Sequence, residues 1–83
     1  MKKIIVPRKD YRLLDWLRIA GHSKGMPIEW FYKVLLNSGK SEIEVGQFIN
    51  QYVTQGILVK NYKVVGNISA GCLVDFDYDA AEA

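Results

Sequence analysis

The sequence predicts a small α+β domain, three helices followed by an antiparallel β-hairpin, and three observations carry that expectation. Ser41 and Glu44 stand in the S-x-x-E relation of a capping box, so a helix starts at Glu42. Apolar residues recur at helical spacing in three separate stretches between residues 11 and 54. After Gly56 the pattern changes to period two, with Cys72, Val74, Phe76 and Tyr78 on one face and Asp75 and Asp77 on the other. At 83 residues and 49% apolar content, the chain suits one domain over 1–83 with a modest core, and a disordered protein is excluded.

The elements follow in order. Residues 1–9 form an N-terminal arm or edge strand, with Lys2 to Val6 β-prone and closed by Pro7. Asp10 is a candidate N-cap for a first helix from Tyr11 to about Ala20. Leu13, Leu14, Trp16, Leu17 and Ala20 share its apolar face, while Tyr11 and Ile19 fall on the outward side. Gly21 to Gly25 is a loop by composition. Pro27 suits the first turn of a second helix, Ile28 to about Asn37, whose inner face is Ile28, Phe31, Val34 and Leu35. Trp30 lies on its flank.

Ser38-Gly39-Lys40 is a tight turn into the third helix. There Val45, Phe48, Ile49, Tyr52 and Val53 face inward, and Gln47, Asn50, Gln51 and Thr54 face outward. Gly56 supplies the positive φ with which helices commonly end. Ile57 to Val65 is β-rich, Gly66 to Gly71 reads as the hairpin tip, and Cys72 to Tyr78 is the returning strand. Residues 79–83 make a disordered acidic tail. The expected core comprises Leu13, Leu14, Leu17, Phe31, Leu35, Val45, Phe48, Ile49, Tyr52, Ile57, Val64, Val74 and Phe76.

Composition narrows the function classes. A single cysteine, Cys72, allows no internal disulfide and no thiolate zinc site, which fits a reducing, cytoplasmic setting. The apolar run near the N-terminus stops at Pro7, short of a secretory h-region, and nothing approaches the roughly 18 apolar residues of a membrane span. Residues 1–40 carry nine Lys and Arg against three acids, whereas residues 41–83 carry two against six. Such a +6/−4 asymmetry marks a surface for a polyanion or, equally, a solvated acidic tail.

Catalysis finds no constellation. His22 stands alone in a loop, and Cys72 shares a strand face with Val74 and Phe76, as a buried structural thiol would. Asp75, Asp77 and Asp79 lack the glycine and distal glutamate of a calcium loop and read as solubilising edge charges. No enzyme activity, cofactor or metal is expected.

Two helices joined by a short turn and followed by a hairpin resemble the winged helix-turn-helix superfamily over roughly Asp10 to Tyr78. The stretch Ile49-Asn-Gln-Tyr-Val-Thr-Gln-Gly-Ile-Leu-Val-Lys60 is the most telling part. It is similar to the family's recognition helix, glycine, apolar pair and first wing strand. The resemblance implies duplex DNA as partner, in transcription or replication control. The third helix would enter the major groove, and the wing would lie on the flanking backbone. The chain departs from the DNA-binding members in having no Lys or Arg between Glu42 and Gln55, and in placing Glu42 and Glu44 at the helix start.

The residues themselves offer base-reading groups. Asn and Gln form paired hydrogen bonds with adenine in the major groove, so Gln47, Asn50 and Gln51 are the candidate readers. Thr54 and Ile43 suit a thymine methyl. Duplex affinity comes mostly from cations, for which Lys40, Lys33, Lys60, Lys63, Lys2, Lys3, Arg8 and Lys9 are available. Ser41 would join Lys40 on the DNA backbone, and Asn67 belongs to the wing. The competing reading is a module that binds protein, as adaptor, assembly subunit or inhibitor, through Tyr11, Ile19, Trp30 and Ile43. A homodimer is compatible with both.

Overall fold

A computed structural model describes residues 3–61 and 66–81. The order is β1 (Ile4–Val6), α1 (Arg8–Ala20), a 3₁₀ turn (His22–Lys24), β2 (Met26–Pro27), α2 (Ile28–Asn37), α3 (Glu42–Thr54), β3 (Leu58–Asn61), β4 (Asn67–Ala70) and β5 (Phe76–Tyr78). It is an α+β architecture with three α-helices, a three-stranded antiparallel sheet in the order β2-β4-β3, and a separate parallel pair, β1-β5.

The first helix starts earlier than its carboxylate signal predicts. Pro7 lacks an N–H to lose and stands at the N-cap with φ −57°, and its carbonyl accepts from the Tyr11 N–H at 2.8 Å. Helix therefore runs from Arg8, and Asp10 is no cap. Its carboxylate instead accepts a hydrogen bond from the Tyr52 hydroxyl, joining α1 to α3. Leu14 and Leu17 are buried and Leu13 is half-buried, but Trp16, expected inside, stands 42% exposed. Tyr11, expected outside, packs edge-on against Phe76 and tilted against Tyr78. The burial of Tyr11 follows from β5 lying over the start of α1, where the sequence alone shows no neighbour, whereas Trp16 lies in a shallow groove beside α2.

The second and third helices run as their caps dictate. Phe31 and Leu35 are the buried stripe of α2, and the Ser38 hydroxyl donates to the Leu35 carbonyl at its end. Gly39 takes φ 100° in the turn that follows. At the start of α3, the Ser41 hydroxyl accepts from the Glu44 N–H, and the Glu44 carboxylate accepts from the Ser41 N–H. At the other end, the N–H groups of Gly56 and Ile57 reach the carbonyls of Val53 and Tyr52. With Gly56 at φ 83°, this is a Schellman closure. Between these ends Val45, Phe48, Ile49 and Tyr52 are buried.

The β region departs most from expectation. Residues 67–70, read as a hairpin tip, form β4, the central strand, paired with β3 from Leu58↔Ala70 to Asn61↔Asn67 and with β2 at Met26↔Ile68. Gly25 at φ 75° admits this approach, because a Cβ there would overlap the Ile68 carbonyl. The returning strand expected over 72–78 shrinks to Phe76–Tyr78 and runs parallel to β1, in register Ile4↔Phe76. Cys72 is exposed, since 71–74 are bends, and Val74 is half-buried. Asp79 to Ala81, expected to fray, form a turn in which the Asp79 carboxylate accepts from the Ala81 N–H. Val64 lies outside the described residues. The core gains Val6, Met26, Leu58, Ile68 and Ala70.

Candidate functional site

The exposed front of α3 is the first candidate. Gln47, Asn50, Gln51, Thr54 and Gln55 line one shallow, uncharged depression on the face opposite Phe48 and Tyr52. The helix is held rigidly behind that face by its buried stripe and by a closed cap at each end. Thr54 is less available than its spacing predicts. Its hydroxyl donates to the Asn50 carbonyl at 2.8 Å. Ile43, 74% exposed, continues the same helix toward its start.

The amino end of α3 is electrostatically mixed. Glu42 and Glu44 occupy its first turn, and the Ser41 N–H and hydroxyl hold the Glu44 carboxyl below the usual carboxylate range, so it stays ionised. The Ser41 hydroxyl also accepts the Glu44 N–H, so it is already engaged in the cap. Lys40 rests over the Phe48 ring at 5.1 Å.

Beside Lys40 lies a cleft of about 720 Å³ between the start of α1 and the α2–α3 turn. Four of its lining residues are cations, Arg8, Lys9, Arg12 and Lys40, over a floor of Pro7 and Leu13 with Ser38 at the edge. No carboxylate among the described residues lines it. The Arg8 guanidinium also sits over the Tyr78 ring, 5.5 Å from its centroid. Arg12 is the member that sequence reasoning missed. A helix starting at Tyr11 separates Arg12 from the arm, whereas one starting at Arg8 puts Arg8 and Arg12 at i, i+4 on one face.

The remaining candidates scatter. Lys60, on β3, is half-buried opposite Ile68, and Lys3 reaches Asp75 at 3.8 Å. Asn67 belongs to a strand and not to a hairpin tip, and its amide donates to the Lys24 carbonyl at 3.3 Å. Lys2 and Lys63 lie outside the described residues. Of the apolar candidates, Tyr11 is packed and half-buried, while Ile19 and Trp30 are each 65% exposed. Trp30 lines a shallow groove with Trp16, Lys33 and Val34 between α1 and α2.

Chemistry of other kinds has little to build on. Among the described residues there is no group of three metal-ligating side chains, and no helix is long and apolar enough to cross a membrane. Asp75 is engaged by Arg18 and Lys3, and the carboxylates of Asp75 and Asp77 each accept the N–H of the following residue. His22 is exposed at φ 51°. Comparison with family models, with curated proteins and with solved structures gives no match.

Proposed function

We propose that this chain is a small winged helix-turn-helix protein that binds duplex DNA as a regulator of transcription or replication in the cytoplasm. The helices α1, α2 and α3 with the sheet β2-β4-β3 supply the scaffold, and the β3–β4 hairpin is the wing. In this reading α3 enters the major groove, with Gln47, Asn50 and Gln51 at base edges and the Ile43 and Thr54 methyls against thymine. Lys40 and Ser41 contact the backbone, and Lys60 and Lys63 of the wing lie along the flanking phosphates. One observation carries the reading: a helix pinned along its back and at both ends presents an uncharged row of carboxamides to solvent. A face that reads bases needs directional hydrogen-bonding groups in a fixed register, and this one has them.

The test is fluorescence anisotropy with a random-sequence duplex, followed by selection of preferred sites. Binding that weakens steeply with salt is the expected outcome. Gln51→Ala should change the preferred bases more than the affinity for random duplex. Absence of any binding at low salt rejects this function.

A second reading has its own observation, the exposed Trp16–Trp30 groove beside Lys33. Paired exposed tryptophans are enriched where proteins bind one another, as in an adaptor, an inhibitor or a homodimer. Under that reading Trp30→Ala abolishes complex formation or self-association, and salt has little effect on either.

A further inference from the structure

Resting on the DNA reading, we infer that the cleft between the start of α1 and the α2–α3 turn is where nucleic-acid backbone phosphates sit, held by Arg8, Lys9, Arg12 and Lys40. The argument begins from what folding alone would favour. The first turn of a helix carries the positive end of its dipole, so acidic residues stabilise it and cations do the reverse. Here α1 opens with Arg8 and Lys9, and Arg12 follows at i+4 and i+3 from them, spacings at which like charges repel. Among the described residues none of these three is ion-paired, in contrast to Arg18 on the same helix, which is held by Asp15 and Asp75.

An unbalanced charge cluster that weakens its own helix is accounted for by an anion that binds it. Among the described residues no acid pairs with it, although Asp10 shares the first turn of α1 and Asp79 lines a neighbouring depression with Pro7. The Asp10 carboxylate is turned to the Tyr52 hydroxyl, and the Glu44 carboxylate is closed into the cap of α3. Glu42 is exposed on the first turn of α3 and does not line the cleft.

Size and position choose the anion. At about 720 Å³ and open to solvent, the cleft has room for more than one phosphate group. Lys40 stands two residues before α3, so the cleft adjoins the amino end of the helix whose middle and carboxyl half bear the carboxamides. Phosphate contacts fix orientation and base contacts specify sequence. Placing the cations on α1 and the α2–α3 turn, and the amides on α3, divides those tasks between neighbouring elements. It also explains how a reading helix without Lys or Arg obtains affinity.

The test uses the full chain with the double substitution Lys9→Gln and Arg12→Gln. Neither side chain stacks on an aromatic ring or pairs with an acid among the described residues, so thermal melting should be no lower than wild type, and slightly higher where repelling cations are removed. Arg8 and Lys40 are left in place because they stack on Tyr78 and Phe48. Affinity for a random-sequence duplex is followed between about 50 and 200 mM salt. The double variant should bind every sequence more weakly and lower the slope of log K against log salt by about 2, one for each lost cation. A wild-type slope in a double variant that still melts normally overturns the cleft assignment and leaves the DNA reading standing. If wild-type protein does not bind duplex at all, both fall together.

Discussion

Tyr52 shows how one side chain serves two elements. Its ring is buried edge-on against Phe48 within the core, while its hydroxyl donates to the Asp10 carboxylate on α1. Burial, then the hydrogen bond to Asp10 and its negative charge, push the phenol well above the ordinary tyrosine range. A group whose pKa is higher in the folded state stabilises the fold fully at pH values below its unfolded pKa. That stability is lost as pH rises through the raised value. The window therefore opens above pH of about 10, where an unfolded tyrosine ionises. Replacing Tyr52 with Phe removes a hydrogen bond to a charged acceptor and should lower stability at neutral pH by about 1.5 kcal/mol. The gap between wild type and Tyr52→Phe, read from urea midpoints, should stay constant up to pH of about 10 and shrink above it. A gap that widens in alkali would contradict the arrangement.

At the scale of elements, α3 is set by its ends as much as by its buried face. Ser41→Ala removes the hydroxyl that accepts the Glu44 N–H and should lower stability by about 1 kcal/mol. The Glu44 carboxyl is depressed by the Ser41 N–H and hydroxyl, so its contribution is present above the ordinary carboxylate pKa and lost as pH falls through the depressed value. Urea titrations below pH of about 4.5 should show that loss in wild type and not in Glu44→Gln, whose amide oxygen accepts the same N–H at every pH. The cap, Pro27 and Gly56 were readable in the sequence because the effect of each on its helix end is exerted within a few residues along the chain. Asp10 misled because a carboxylate before an apolar helix resembles a cap, while Pro7 had already begun that helix. Alternation from Cys72 to Tyr78 misled in another way, since period two marks an extended chain without saying which strand it meets. The carboxamide row on α3 was legible from spacing, but the basic cleft was not. It depends on bringing residue 40 against residues 8, 9 and 12.

At the scale of the whole molecule, β1 and β5 decide whether the helices and the sheet unfold as one. Their parallel pairing joins residues 4–6 to residues 76–78, and Phe76 drives into the core beneath Tyr11 and the Arg18 guanidinium, 4.6 Å from the ring centroid. Arg18 also bonds Asp75 just before β5 and Asp15 on its own helix, tying α1 to the C-terminal strand. A domain of this size buries only about 60–65% of its unfolded surface, so it has no spare core to let one region open alone. Phe76→Ala should therefore lower global stability by about 3–5 kcal/mol and not merely loosen the strand. Trp16 and Trp30 report on α1 and α2, away from β5, and far-UV circular dichroism reports on all three helices. In the Phe76→Ala protein both signals should shift to the same lower urea midpoint in a single transition. If tryptophan fluorescence kept its wild-type midpoint while the variant lost β-structure, the β1–β5 pair would be an appendage. The Arg8 guanidinium, which lines the basic cleft, would then rest on a loosely held ring, because Tyr78 is the last residue of that strand.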